Sequence, residues 1–332
     1  MAVNLGELMK SRADAQCSFY GLVGDDEFGA FLRRRLAEAE VRDQMGTAAG
    51  KSTGCCIVLS GSDDRGFVTS TGATGFLSTA NLESLLSAED AVAARRCHMH
   101  ISGYFSCPSL QAGLPMLLRK LRERAAANGQ EFSISIDTNC DATGQWGSGV
   151  VDVLSEADVF LPNEVEALAI AKAMGNLGEA PELQATGLLS MAALEVMASD
   201  AGHGTQADAS AELNMAADRL ASIVRNAVVI TCGKDGCILQ TRKAKLAGHR
   251  PQRCGAPRGI EPVDATGAGD AFDAGFIFRW VVLGGTLEEA VRSGSCCGAL
   301  CTESIGANSN PPSAQTLSQM EALHKSALAH IP

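Results

Sequence analysis

Asp264-Ala265-Thr266-Gly267-Ala268-Gly269-Asp270 leads directly into Ala271-Phe272-Asp273-Ala274-Gly275-Phe276-Ile277-Phe278-Arg279-Trp280. Phe272, Phe276 and Trp280 recur every four positions, a spacing that predicts a helix. A turn of small residues feeding a helix leaves the first backbone amides without intrahelical acceptors, at the positive end of the helix dipole. Such a place attracts phosphate or a developing anion. Two carboxylates flank this turn, and anion binding alone does not require them. Asp270, at the helix mouth, is therefore a candidate to take a proton from a hydroxyl while the turn Gly267-Ala268-Gly269 holds negative charge.

Outward from this turn, short apolar runs alternate with longer helical patterns. Strands are expected at Ser18 to Val23, His98 to Ser102, Phe132 to Asp137, Asp158 to Leu161 and Ala227 to Thr231. Helices are expected around 26–39, 109–127, 164–174 and 212–225, and the N-terminus reads as an amphipathic helix. Repeated strand-then-helix order implies an α/β fold, a doubly wound, mostly parallel sheet covered on both faces. Ligands in such sheets sit beyond the carboxyl ends of the strands. Asp137-Thr138-Asn139, Asn163-Glu164-Val165-Glu166 and Thr231-Cys232-Gly233-Lys234-Asp235-Gly236 each come just after a strand. One stretch breaks the alternation. Cys55 to Ser60 and Phe67 to Ala73, joined by Gly61-Ser62-Asp63-Asp64-Arg65-Gly66, read as an antiparallel hairpin, a small β lid over 50–76. Residues 175–212, rich in Ala, Gly, Ser and acids, read as an insertion into a single domain spanning 1–332.

Composition narrows the class. With 27 basic and 38 acidic residues the net charge is −11, which disfavours nucleic-acid and membrane-surface partners. The run Arg33-Arg34-Arg35 reads as a solvated helix face. Twelve cysteines in 332 residues fall far below the density of a disulfide scaffold. His98 and His100 alternate on one strand without an obvious third metal ligand. With no apolar run of membrane-spanning length, the expected setting is reduced and cytoplasmic.

These motifs together resemble the ribokinase-like (PfkB) family of carbohydrate and nucleoside kinases, and Asp264 to Asp270 is similar to that family's Asp-Thr-x-Gly-Ala-Gly-Asp signature. The resemblance implies ATP-dependent transfer of a phosphoryl group to a hydroxyl of a small sugar. It makes Asp270 the general base, the Gly267, Ala268 and Gly269 turn the anion hole, and Asp264 a ligand of a monovalent cation such as K⁺. Asn163 and Glu166 resemble the Asn-x-x-Glu motif that places Mg²⁺ and phosphate, largely through water; a helix N-terminus with acids in its first turn is the other reading. Thr231, Gly233 and Gly236 resemble the nucleotide turn, and Asn308 the loop beside the adenine. Gly24-Asp25-Asp26-Glu27-Phe28-Gly29 is similar to the first family signature. Lys51, Thr53 and Gly54 match the region that touches sugar, and Asp137 and Asn139 lie beside the acceptor pocket.

Some forty residues of the family pattern find no counterpart ahead of Met1-Ala2-Val3-Asn4-Leu5-Gly6, so a truncated lid and an incomplete acceptor pocket are expected, and a homodimer through the lid strands is a further expectation. Three rivals stand beside the sugar kinase: a nucleoside kinase of the adenosine type, a catalytically impaired nucleotide-binding descendant, and a dinucleotide-dependent oxidoreductase. The last lacks Gly-x-Gly-x-x-Gly spacing between Gly21 and Gly29.

Overall fold

From Ala227 to Ile230 every residue is fully buried, and neighbours in sequence enter different cores. Val228 and Ile230 join one apolar cluster with Ile134, Ile136 and Phe160, whereas Ala227 and Val229 join a second with Val159, Leu161 and Leu239. Successive strand residues point to opposite faces, so two cores mean a sheet covered on both sides. The structure, a computed structural model, describes residues 1–10, 12–60, 65–86, 95–147, 149–175 and 206–328. Most of the expected insertion, 176–205, lies outside the described residues.

The strands are β1 (Ser18–Gly24), β2 (Arg42–Ala48), β3 (Cys55–Ser60), β4 (Arg65–Ser70), β5 (Arg96–Ser102), β6 (Glu131–Asp137), β7 (Val159–Phe160), β8 (Ala227–Thr231), β9 (Cys237–Thr241) and β10 (Gln252–Cys254). The main sheet runs β10-β9-β8-β7-β6-β5; β5 through β8 pair in parallel, and β9 and β10 turn antiparallel at one edge. β1 and β2 form a separate parallel pair, and β3 and β4 an antiparallel hairpin. Helices α1 (Ala2–Met9), α2 (Glu27–Glu38), α3 (Thr79–Leu86), α4 (Pro108–Gln111), α5 (Leu114–Ala127), α6 (Val150–Glu156), α7 (Glu164–Gly175), α8 (Gln206–Ala221), α9 (Arg242–Leu246), α10 (Ala268–Ile277), α11 (Leu287–Cys301) and α12 (Ala314–Leu328) connect or cover them. Buried residues of α5 to α8 fill the first core, and those of α1, α10, α11 and α12 the second.

The sequence expectations shift in five places. The second hairpin strand ends at Ser70, before a 3₁₀ turn over Gly72–Phe76. The helix expected over 109–127 breaks into α4 and α5, because Pro115 has no N–H to give to a continuous helix. β7 contracts to two residues, and β2 is a strand that the apolar pattern does not predict. The arginine run is not simply solvated. Arg33 bonds to Asp43, the Met45 carbonyl and Thr47, and Arg35 reaches the Asn308 carbonyl at 3.2 Å.

One gap and one close approach shape the region around α10. β1 and β5 share no ladder, and a cavity of about 990 Å³ opens between them. Conversely, α10 and α11 nearly touch. A Cβ on Gly275 would lie 2.7 Å from the Ser293 carbonyl oxygen and 2.6 Å from Cys297 Sγ, and one on Gly294 would lie 2.9 Å from the Phe272 carbonyl oxygen. The backbone oxygen of Ser293 cannot turn aside as a side chain could. Gly275→Ala should therefore cost about 1–3 kcal/mol, the usual scale of overpacking, read as a lower midpoint in urea unfolding.

Candidate active site

Gly267, the N-cap of α10, has φ +78, a left-handed conformation that glycine adopts without Cβ strain. A Cβ there would also meet Ala307 Cβ at 2.5 Å. The loop around 306 is tied to the turn from the other side. Asp264 Oδ2 accepts the Gly306 amide at 2.9 Å, while Oδ1 accepts the Thr266 amide at 2.9 Å and hydroxyl at 2.7 Å. The Ala268 amide bonds to the Ala265 carbonyl at 3.2 Å. The Gly269 Cα faces open space, with no atom within 4 Å of where a Cβ would sit. At Gly269 the helix's positive end thus offers backbone to an open approach, whereas Gly267 is closed against Ala307.

Asp270, in the first turn of α10, is 43% exposed at its side chain and lines the cavity between β1 and β5. Its Oδ1 lies 3.1 Å from the Met1 α-amino group. Thr53, Gly54, Thr74 and Tyr104 line the same cavity, so two of the expected acceptor residues share it with the candidate base. Thr53 is held by Asp26, which shows in the sequence only as one member of a signature. Asp26 accepts the Thr53 amide at 2.7 Å and hydroxyl at 2.5 Å, and caps α2 through the Gly29 amide at 2.9 Å. The Thr53 hydroxyl accepts the Gly24 amide at 2.9 Å. One carboxylate therefore fixes both the start of α2 and the entry to the hairpin. Lys51 sits apart, its ammonium 4.1 Å above the exposed Phe76 ring.

Carboxylates converge below Asp270. Asp137 ends β6 and accepts the Asn139 amide at 3.0 Å; Asn139 itself is exposed, with φ +59. Burial, then the charge of Asp270, pushes Asp137 up to about 6. Burial and the charge of Asp137 push Glu166 up to about 8. Asp273, one helical turn past Asp270, is fully enclosed; burial, then the charges of Asp137 and Asp270, raises it well above the ordinary carboxylate range. Asn163 and Glu166 bond reciprocally. The Asn163 side-chain amide and backbone amide donate to Glu166 at 2.8 and 3.1 Å, and the Glu166 amide donates to Asn163 Oδ1 at 2.9 Å. That is a capping arrangement for α7, so the helix-start reading is realised in the geometry. The donors in this region are oxygens, the set that suits Mg²⁺. Among the described residues no group of three or more His, Cys, Asp and Glu side chains forms a direct metal cage. A magnesium ion bridged through water fits such a site.

His98 and His100 serve packing. His98 bonds to Ser133 and Ser135, and His100 to Ser135, each at 2.8 Å. Burial lowers both to about 3, so they stay neutral. His100 Nε2 lies 3.6 Å from Asp273 Oδ2.

The nucleotide-side residues meet through the sheet. Asn163 and Thr231 form a β-bridge, and the Thr231 amide donates to the Pro162 carbonyl at 2.9 Å, which sets the second and third motifs side by side. Gly236 has φ +89, and a Cβ there would lie 2.0 Å from the Cys254 carbonyl oxygen. Gly233 is exposed with open space beside it. Asn308 places its backbone against Arg35, and its Oδ1 is buried without a hydrogen bond.

Known proteins share this architecture. Over 306 residues the chain is 26% identical to an adenosine kinase of Schizophyllum commune, covering 90% of this chain and 77% of that one. Its fold is similar to a ribokinase from Giardia lamblia, with TM-score 0.70 and 19% identity, covering 96% and 86% of the two chains. A fructokinase from Vibrio cholerae O395, in its fructose, ADP and calcium ion bound form, aligns with TM-score 0.64 and 20% identity, covering 96% and 88%. The model of the pfkB family carbohydrate kinases matches residues 1–314, and the chain belongs to that family of ATP-dependent phosphotransferases.

Proposed function

We propose that this chain transfers the γ-phosphoryl group of ATP to a hydroxyl of a small sugar. The observation that carries the reading is Asp270, which stands at the mouth of α10 and opens into the cavity that also reaches Thr53 and Gly54. An acceptor hydroxyl lying against Asp270 passes its proton to the carboxylate as its oxygen attacks the γ-phosphorus in line. Charge on the phosphoryl oxygens then falls on the Gly267-Ala268-Gly269 turn and the α10 dipole, and ADP leaves on the side of Thr231, Gly233 and Gly236. Most of the acceleration comes from positioning and electrostatic stabilisation. Mg²⁺ would be held near Glu166 and Asn163 through water and would neutralise charge on the phosphates. The K⁺ implied by Asp264 would share that carboxylate with the Thr266 and Gly306 donors. The exposed apolar residues Ile57, Leu59, Phe67 and Val68 of the hairpin support a homodimer.

A nucleoside acceptor is the second reading. The likeness to an adenosine kinase favours it. A coupled ADP-release assay across sugars and nucleosides separates the two. Nucleotide binding without turnover on any acceptor would indicate the impaired descendant.

Asp270→Asn should lower kcat by at least about a hundredfold and leave nucleotide affinity nearly unchanged. Retention of near-normal turnover would remove Asp270 from the role of base. Glu166→Gln keeps a partner for Asn163, so the helix start survives. It should raise the Mg²⁺ concentration needed for half-maximal rate, and an unchanged titration curve would leave the pair as a cap alone. The raised carboxylates also make stability depend on pH. Folded Asp137 and Glu166 keep protons that the unfolded chain has released above about pH 4. Stability should therefore fall as pH rises through about 6 and about 8 in chelator-treated protein, and Glu166→Gln should flatten the upper part of that fall in thermal melts.

A further inference from the structure

Cys237 and Cys254 face each other across the antiparallel pair β9 and β10 as direct partners in register. Residues so paired put their side chains on the same face of the sheet, with Cα atoms about 4.5 or 5.5 Å apart depending on the ladder position. Both spacings fall within the range a disulfide spans. The two thiols differ in access. Cys237 is buried, with Sγ 3.8 Å from the Cys254 carbonyl oxygen and 3.9 Å from Ser295 Oγ. Cys254 is half-buried on β10, the edge strand of the main sheet. Hydrogen bonding from the Cys237 thiol brings Cys254 down to about 7 against the opposing effect of burial, with Arg292 assisting and Glu288 opposing; the same contact, then burial, pushes Cys237 up. An accessible thiolate beside a protonated, sheltered thiol is an attacking and resolving pair.

The site adjoins the candidate nucleotide turn. Gly236 immediately precedes Cys237, and its α-carbon packs on the backbone of Cys254, Gly255 and Ala256. β10 is three residues long, the shortest strand but one among those described, and holds the sheet edge by its pairing with β9 alone. A covalent link there would fix the edge and the turn together.

We propose that Cys237 and Cys254 form a reversible cross-strand disulfide that staples β10 to the sheet beside the turn Thr231–Gly236. The oxidant is a small-molecule disulfide of the glutathione type. The Cys254 thiolate attacks one of its sulfurs and expels the other half as a thiolate, leaving a mixed disulfide on Cys254. Cys237 then attacks Cys254 Sγ, its proton passing to the departing thiolate. Two protein thiols are oxidised, and one small disulfide is reduced to two thiols.

The test exposes the folded full chain to glutathione disulfide, blocks remaining thiols with an alkylating reagent, and maps peptides by mass spectrometry before and after reduction. A linked peptide joining Cys237 to Cys254, reversed by dithiothreitol, is expected. Hydrogen exchange at the amides of Gly236 and 252–254 should slow on the order of tenfold or more in the linked form, since opening the edge would then require stretching a closed loop. Cys254→Ser, at the half-buried position, should abolish the link without loss of fold. Cys237→Ser should instead trap glutathione on Cys254. A folded wild-type chain that keeps both thiols free, or links either to a different cysteine, would overturn the proposal. The link is read by mass and stands independently of any phosphoryl transfer.

Discussion

The near-contact of α10 and α11 governs the rest of the site. Glycine at 275 and 294 lets the two helix backbones approach to distances that no side chain could occupy. That approach fixes the axis of α10, and the axis decides where its positive end points. It also decides what lies one turn inward: Asp273 faces the interior against His100, while Asp270 faces the cavity. Close packing of small residues therefore aims a dipole and separates two carboxylates only three positions apart into different environments. Interiors are too dense for one helix to slide against the other without displacing its neighbours.

The second organising term is electrostatic and unfavourable. Asp137, Glu166, Asp270 and Asp273 crowd one end of the sheet, and the Met1 amino group is the one cation paired with them among the described residues. Desolvation and like charge both resist full ionisation of Asp137, Glu166 and Asp273. The Mg²⁺ proposed above would relieve like-charge repulsion in such a region. Helix-capping hydrogen bonds hold Glu166 in position, and the water-mediated magnesium role proposed for it would draw on the same oxygens.

Much of this was legible in the sequence, for identifiable reasons. The turn before α10 shows because small residues, an acid and a four-residue apolar repeat coincide. β8 shows because both its faces are buried and the run is apolar, whereas β6 shows through Ile134 and Ile136 alternating with serine and β5 through Met99 and Ile101 alternating with histidine. β2 does not, since Arg42-Asp43-Gln44-Met45-Gly46-Thr47-Ala48 carries little apolar signal and is a strand because β1 pairs with it. Asp26 was visible only as part of a pattern; its grip on Thr53 joins residues 27 positions apart, and no local rule reports that. For Asn163 and Glu166 the difficulty was different. A three-residue spacing suits a capping pair and a magnesium motif equally, and the geometry realises the cap without deciding what else the pair does. The link between His100 and Asp273 had a faint signal in polar residues at buried positions of a strand and a helix, but only the fold brings the two together.

The loop around 306 packs against the turn before α10. Asp264 reaches across to the Gly306 amide, and Gly267 leaves room for Ala307 where any side chain would collide. The same loop places the Asn308 carbonyl against Arg35 of α2, whose N-terminus is capped by Asp26. A continuous set of contacts thus runs from the hairpin entry at Thr53, through α2, to the anion-binding turn. Thr53 and the turn before α10 are distant in sequence but joined by these contacts. The fold thereby links the hairpin entry to the turn before α10 through side-chain and backbone contacts rather than through nearness in sequence.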